Sequence, residues 1–405
     1  MNIFKKIIKI FSKKNNNKAI IISRSEHNIS RKNISKNVLS ILYKLKQHGY
    51  KSYLVGGGVR DLLLQRQPKD FDIATDAHPE KIKKLFRYCY IIGRRFPLVH
   101  VNFGKEIVEV VTFRGESNHK RHHSKDGMIL RDNIYGNIEE DALRRDFTVN
   151  ALYYNIYDYS IVDYAGGLKD LYDRKLSLIG EPATRYREDP VRMLRAIRFA
   201  AKLDFDIQEA TAAPIYALKK LLYNVSSARL YDEYVKLFFY GHAVKSFELL
   251  KQYELLEILF PGCNNIKFII NSLKDIDYKI SNNQPINPAL GIAVLLWPDI
   301  NISDLKFLEY KHLLEALLSE QKKIINLSKK LLFFIKDIWI MQFKLLKLAG
   351  KSASRVKKFS DSNKFTPAFE FLLLRAKSGD SRAQRIANWW KKYLLFKNNE
   401  ELCKE

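Results

Sequence analysis

Three consecutive glycines, Gly56-Gly57-Gly58, stand between a short apolar run, Tyr53-Leu54-Val55, and an amphipathic stretch from Val59 to Leu64. Residues without a Cβ, placed between a strand and a helix, let backbone come close to a ligand. The helix start beyond them offers unpaired N–H groups and positive dipole charge, which suits phosphate. The turn is neither a Walker A loop, since GxxxxGK[ST] is missing, nor a GxGxxG dinucleotide turn. Some way downstream, Asp70 and Asp72 open a second strand, Phe71–Ala74. Their i, i+2 spacing sends both carboxylates to one face. Two carboxylates with no His or Cys beside them form a hard oxygen site for Mg²⁺, with Mn²⁺ as the alternative ion. A lone DxD is commonly a solvated turn; the glycine turn upstream is what makes this one a candidate metal site.

Around these motifs the periodicity is mixed. Val38, Leu39, Ile41, Leu42 and Leu45 recur at helical spacing within Ile34–Gln47, and His48-Gly49 ends that helix. His78-Pro79-Glu80 starts another, and 99–103 with 107–113 predict a hairpin about Gly104-Lys105. These elements describe a small α/β or α+β domain reaching to about residue 155. The polar stretch 115–131, with His119, His122 and His123, predicts a mobile solvated loop that could close over a ligand. Beyond Asp170 apolar stripes at helical spacing mark 192–202, 228–239, 243–260, 305–343 and 365–396. No internal repeat is evident.

A formal charge of +26 and a pI near 9.7 make nucleic acid the default partner, by counterion release, ahead of an anionic membrane surface or mere solubility. Cys89, Cys263 and Cys403 form no CxxC pair, so neither a zinc site nor a disulfide scaffold is indicated, which suits a reducing cytoplasm. No apolar run reaches the ~20 residues needed to span a bilayer. Phe4, Ile7, Ile8 and Phe11 share a helical face, consistent with a weak membrane-surface contact, but the lysines and Asn15-Asn16-Asn17 favour a frayed basic leader over residues 1–22.

Further candidates lie downstream. Glu109 sits in an apolar strand and requires a metal, an arginine such as Arg114, or an exposed face; it is either a paired carboxylate or a third acid at the metal site. In Glu139-Glu140-Asp141-Ala142-Leu143-Arg144-Arg145-Asp146, the i, i+4 pairs explain a helix. A functional assignment gives the arginines to triphosphate oxygens and Asp146 to ribose hydroxyls or the metal site. Asp189-Pro190 is a good helix start, and Arg192, Arg195 and Arg198 then line one side of that helix. Asp189 and Arg192 together offer one acceptor and one donor, which matches the Watson–Crick edges of adenine and cytosine. Guanine and uracil place a carbonyl against Asp189 and are rejected. Trp389-Trp390 predicts a packing anchor rather than a base-stacking platform.

GGGVRD with DFD, EEDALRRDFTVNAL, DYAGGLKD and REDPVRMLRAIRF resemble, in order and spacing, the class II nucleotidyltransferase superfamily, which holds bacterial poly(A) polymerases and CCA-adding enzymes. The likeness covers about residues 22–240. The run IIGRRFPLVHVNF at 91–103, SEHNISRK at 25–32 and AFEFLLLRA with Asn388-Trp389-Trp390 look like the poly(A) polymerase branch. The long Arg-rich C-terminal tail of some members has no counterpart, which bears on RNA affinity. The resemblance implies an α+β fold: a basic leader (1–22), a mixed nucleotidyltransferase head (23–170), a helical neck carrying base recognition (171–240) and an all-helical RNA-binding body and tail (241–405). It further implies that Asp70 and Asp72 hold two Mg²⁺ and that Asp146 belongs to the catalytic set. Asp189 and Arg192 would read the base, while Gly56, Gly57, Arg60, Arg145, Arg195 and Arg198 contact the nucleotide. ATP and RNA 3′ ends are the expected partners, without an obligate protein partner, in the cytoplasm. A CCA-adding enzyme and a silent RNA-binding protein on the same fold are the rivals. An antibiotic-modifying nucleotidyltransferase would explain the DxD but neither the charge nor the helical body.

Overall fold

The computed structural model describes residues 19–93, 97–115, 122–123, 129–131, 134–298 and 305–402. Two compact units emerge, one comprising Met1–Arg192 with Leu203–Leu218, the other Met193–Lys202 with Lys219–Glu405.

The first unit is built on a mixed sheet. Its strands are β1 (Ile20–Ile22), β2 (Ser52–Val55), β3 (Asp72–Thr75), β4 (Cys89–Ile92), β5 (Leu98–Phe103), β6 (Glu106–Thr112), β9 (Leu152–Asn155) and β10 (Ile161–Asp163); β7 (His122–His123) and β8 (Ile129–Arg131) form a separate small ladder. Spatial order is β1-β10-β9-β2-β3-β6-β5-β4, and every neighbouring pair is antiparallel except β3 with β6. Alternation then sorts the side chains onto two faces. On one, Leu54, Ile73, Val110, Val108, Val99 and Val101 are buried, and the Ser52 hydroxyl donates to the Leu42 carbonyl (3.2 Å) of the helix Lys36–Gln47. That helix buries Val38, Ile41, Leu42 and Leu45, the predicted stripe.

The other face carries a continuous row. Val162, Tyr153, Val55, Asp72, Glu109, His100 and Tyr90 stand opposite one another on successive strands from β10 to β4. Over its first part a small core of Val55, Ala74, Phe113, Ala142, Tyr153 and Val162 packs beneath the helix Ile138–Arg144. Past Asp72 the row runs out to solvent.

Five expectations need correction. Residues 20–22 do not belong to a flexible leader: Ile20–Ile22 pairs with Asp163–Ile161 at the sheet edge. The neck 171–240 is not a unit of its own. Asp206–Ile207 pairs with Lys175–Leu176, and Thr211 takes the Leu178 amide (3.0 Å) on its hydroxyl and the Tyr186 hydroxyl (2.9 Å) on its carbonyl, tying 203–218 to the first unit. Helix 243–260 divides into Ala243–Gln252 and Leu256–Leu259, with Glu254 between them at φ 55. Helices 305–343 and 365–396 likewise divide, into Phe307–Ile324 and Lys329–Leu348, and into Phe365–Lys377 and Ser381–Leu402, the latter pair across Gly379 at φ 98.

The second unit is wholly helical among its described residues. Trp390 is its anchor as predicted: fully buried, its indole N–H donates to the Leu345 carbonyl (3.1 Å), and Phe359 and Phe365 pack against the ring. Among the described residues no helix is long and apolar enough to cross a membrane. The membrane-surface expectation for residues 4–11, and most of the 115–131 loop with His119, lie outside the described residues.

Candidate active site

The glycine turn meets Asp72, one of the two aspartates of the DxD. Gly56 adopts φ 78 and precedes the helix Gly57–Leu63, so Gly57 and Gly58 open that helix rather than forming a loop. A Cβ at Gly56 would stand 3.5 Å from Asp72 Oδ2 and 3.7 Å from Arg145 Nη1. The turn, one carboxylate and one guanidinium therefore border a single space. Gly58 is needed for a different contact: a Cβ there would press on Phe71 at 3.0 Å and on the Asp70 carbonyl at 3.3 Å.

Asp72 begins β3, half-buried, and Asp70 lies two residues before it, exposed. Burial, with Glu109 and Asp70 adding like charge against the pull of Arg145, raises the Asp72 carboxyl to about 6. Register explains Glu109, because the parallel pairing of β3 and β6 sets it beside Asp72. The partner it shows is His100, whose Nε2 lies 3.3 Å from Glu109 Oε1, rather than the proposed Arg114. Arg114 lies by Asp141, whose Oδ1 accepts its backbone amide (3.1 Å).

Among the described residues no three His, Cys, Asp or Glu side chains group so as to hold a metal ion unaided. The donor chemistry still fits a hard divalent cation. Such ions keep several waters and take one or two carboxylates together with substrate phosphates. The like charges at Asp70, Asp72 and Glu109 would be relieved by one.

Arg145 is held from below. Its Nε and Nη2 donate to Asp141 Oδ2 (3.2 and 3.0 Å), its Nε also to the Tyr153 hydroxyl (2.9 Å), and that hydroxyl donates to Asp141 Oδ2 (2.6 Å). Tyr153 belongs to the same sheet row as Asp72, two strands away. Arg144 turns elsewhere, donating to the Gly115 carbonyl. Asp146 is half-buried; its Oδ1 accepts the Phe147 amide (2.8 Å) and the Asn150 side-chain amide (3.5 Å).

Arg60 is only 1% exposed and bonds Asp61 (2.7 Å) and the Asn150 side-chain carbonyl (2.5 Å). Its guanidinium lies against Gly57 of the turn, and Asn150 joins it to Asp146. Asp163 also proves to be a cap, its Oδ1 accepting the amides of Ala165, Gly166 and Gly167 and its Oδ2 that of Leu168.

Behind Arg145, Arg192 Nη1 donates to Glu188 Oε2 (3.0 Å) and the Arg185 carbonyl (2.8 Å). Arg185 bonds Glu188 (2.8 Å) with one nitrogen and the carbonyls of both Arg144 and Arg145 (2.7 Å each) with the other. Burial, with Arg192 beside it and Glu188 opposing, lowers the Arg185 guanidinium to about 10. Asp189 caps the preceding helix Pro182–Glu188, and its carbonyl accepts the Arg192 amide (3.0 Å). The next helix spans Val191–Leu203, starting one residue beyond Pro190. In the second unit, Arg198 bonds the buried Glu233 (3.0 Å), and the guanidinium of Arg195 lies 5.4 Å from the Phe199 ring.

Neither Arg185, Glu188, Tyr153 nor Asn150 was singled out from the sequence. The i, i+3 spacing of Arg185 and Glu188 was a usable signal, since such positions share a helical face, whereas Arg192 lies on the next helix. Nothing local identifies Tyr153 or Asn150.

Three family models match the chain: "Poly A polymerase head domain" over 52–177, "Probable RNA and SrmB- binding site of polymerase A" over 204–267 and "Polymerase A arginine-rich C-terminus" over 310–402. The last bears on the expected lack of a long Arg-rich C-terminal tail, since the family's C-terminal model matches 310–402. That region has lysine as its main basic residue and arginine only at 355, 375, 382 and 385. A poly(A) polymerase I of Salmonella typhi is 43% identical, covering 92% of this chain and 85% of that protein. A CCA-adding enzyme of Lactobacillus helveticus is 37% identical, covering 54% of each. Among solved structures, the apo form II of a CCA-adding enzyme superposes with a TM-score of 0.66 at 22% identity, covering 93% of this chain and 86% of that one, which establishes the shared fold. The full-length likeness lies with the first relative, and the chain belongs to the bacterial poly(A) polymerase family of template-independent nucleotidyltransferases.

Proposed function

We propose that the chain transfers AMP from ATP to RNA 3′-hydroxyl ends, releasing pyrophosphate, in the cytoplasm. The observation that carries the site assignment is the junction of Gly56, Asp72 and Arg145 around one space. There the glycine turn leaves room for phosphate, Arg145 supplies fixed positive charge, and Asp141 with Tyr153 keeps that charge from swinging away. Asp70 and Asp72, with Glu109 beside them, would hold divalent metal ions, Mg²⁺ or Mn²⁺. Bound there, such ions favour ionisation of the attacking hydroxyl and offset charge on the leaving pyrophosphate. The RNA 3′ oxygen forms its bond to the α-phosphorus as the bond to the β-phosphate oxygen breaks.

Asp146, anchored by Phe147 and Asn150, orients the ribose. Asp189 and Arg192 take the adenine edge, the latter braced by Glu188. Arg195 and Arg198 extend positive charge along the helix, while Arg60 acts as a positioning residue. In the second unit, RNA-backbone binding is supported by the basic balance of the chain; the lysines at a cavity of about 550 Å³, Lys219, Lys220 and Lys251, share its lining with Glu254 and Glu257, Lys219 being paired with Glu254.

The test is extension of one RNA primer with each nucleoside triphosphate separately, with Mg²⁺, with Mn²⁺ and with EDTA. ATP alone should extend it, and EDTA should abolish extension. Efficient cytidine addition to a tRNA lacking its CCA end would instead establish the CCA-adding activity. Unchanged 3′-end labelling after Asp70→Ala would leave only an RNA-binding protein.

A further inference from the structure

We infer that the open sheet face beyond Asp72 is the stacking ledge for the 3′ end of the RNA, with Tyr90 as its principal platform. The inference rests on the adenylyl-transfer proposal above. Asp72, Glu109, His100 and Tyr90 are direct neighbours on β3, β6, β5 and β4, so all four side chains rise from one face. The His100–Glu109 contact of 3.3 Å bears this out. At about 4.8 Å between strands, Tyr90 stands about 14 Å from Asp72, a span of a few nucleotides.

Chemistry fixes which side of Asp72 the RNA must use. In-line displacement sets the attacking oxygen opposite the departing pyrophosphate. Gly56 and Arg145 occupy one side of Asp72, and Glu109, His100 and Tyr90 extend on the other. A triphosphate on the glycine turn therefore directs its α-phosphate, and the incoming hydroxyl, toward the ledge.

The composition of the ledge suits single-stranded nucleic acid. Tyr90 is 63% exposed, Tyr88 61% and Ile107 55%, in a unit whose opposite sheet face is buried. The Asn102 amide donates to the Tyr88 carbonyl (2.9 Å), which carries the ladder one step past β4 and, by alternation, sets Tyr88 on the face of Tyr90. The Arg87 guanidinium lies 5.4 Å from the Tyr88 ring, which places positive charge beside the aromatic surface. Exposed aromatics on an open sheet, with cations adjacent, stack successive bases without reading their sequence. That tolerance suits RNA 3′ ends of differing sequence at the first addition.

The test uses the full chain with an oligoadenylate primer carrying 2-aminopurine near its 3′ end. Tyr90→Ala should raise KM for the primer about tenfold, the loss of roughly one stacked base, while leaving KM for ATP unchanged. Quenching of 2-aminopurine by the wild type should fall in Tyr90→Ala and persist in Tyr90→Phe, which keeps the ring and loses the hydroxyl. Far-UV circular dichroism confirms folding of each variant. Unchanged primer KM and quenching in a folded Tyr88→Ala/Tyr90→Ala double variant would overturn the ledge, as would a protein partner shown to occupy it during RNA extension. If the wild type fails to extend RNA with ATP, the adenylyl-transfer proposal itself is what fails.

Discussion

At Asp72 burial and the neighbouring Glu109 raise the carboxyl to about 6, so the folded protein holds a proton that the unfolded chain has already released. Between the ordinary carboxylate value and about pH 6 the native state binds more protons, and the contribution of Asp72 to stability falls as pH rises; above pH 6 the penalty is complete. Asp72→Asn removes it. In metal-free protein this variant should unfold at higher urea than the wild type at pH 7.5, by on the order of 1–3 kcal/mol, with the difference vanishing near pH 4. AMP incorporation should meanwhile fall by roughly three orders of magnitude or more. Divalent-ion affinity of the wild type should weaken about tenfold per pH unit below 6, because the ligand must be ionised; titration calorimetry at pH 5 and 7 measures this. Gly56→Ala tests the phosphate turn. A methyl at φ 78, 3.5 Å from Asp72 Oδ2, strains the backbone and fills the space. We expect KM for ATP to rise at least tenfold and stability to fall by about 1 kcal/mol; an unchanged KM would remove Gly56 from the site. The place of Asp72 at the head of a strand was legible from the apolar run that follows it. The position of Glu109 beside Asp72 was not, because it follows from the parallel pairing of β3 with β6 across the intervening β4 and β5.

The corner between the helices Pro182–Glu188 and Val191–Leu203 shows how elements transmit position. Arg185 clamps two carbonyls at the end of the helix Ile138–Arg144, and Glu188 joins it to Arg192. Removing the guanidinium takes an ion-pair partner from the half-buried Glu188 and frees the segment that aims Arg145. Arg185→Ala should destabilise the protein by about 2–4 kcal/mol and lower kcat for primer extension. Arg185→Lys should recover little, since one ammonium cannot reproduce the planar fork. Thermal melts and initial rates check both variants, and full activity in either would show that the clamp is dispensable. Helix interiors were legible from their stripes, whereas breaks at Glu254 and Gly379 were not, because apolar spacing can run on across a short turn.

For the whole molecule, a charge of +26 predicts that RNA affinity depends steeply on salt. Neutralising about six phosphates of a single strand gives a loss of roughly two to three orders of magnitude between about 50 and 200 mM salt. Fluorescence anisotropy with a labelled oligoadenylate measures this, and a flat response would assign the charge to solubility rather than to RNA. The compact units follow neither length nor composition. Residues 203–218 join the first because Asp206–Ile207 finds a strand partner at Lys175–Leu176 and Thr211 receives hydrogen bonds from Leu178 and Tyr186.

Local chemistry alone accounts for the glycine turn, the strand headed by Asp72, the amphipathic helices and the basic balance, since spacing along one strand or helix dictates which side chains share a face. Tertiary packing was needed wherever a partner comes from far along the chain. It buries Arg60 against the turn, holds Arg145 on Tyr153, sets Glu109 beside Asp72 and aligns Tyr90 with the carboxylates. Each of these depends on which strands become neighbours and in what register, an outcome of burying the whole sheet that no short stretch of residues encodes.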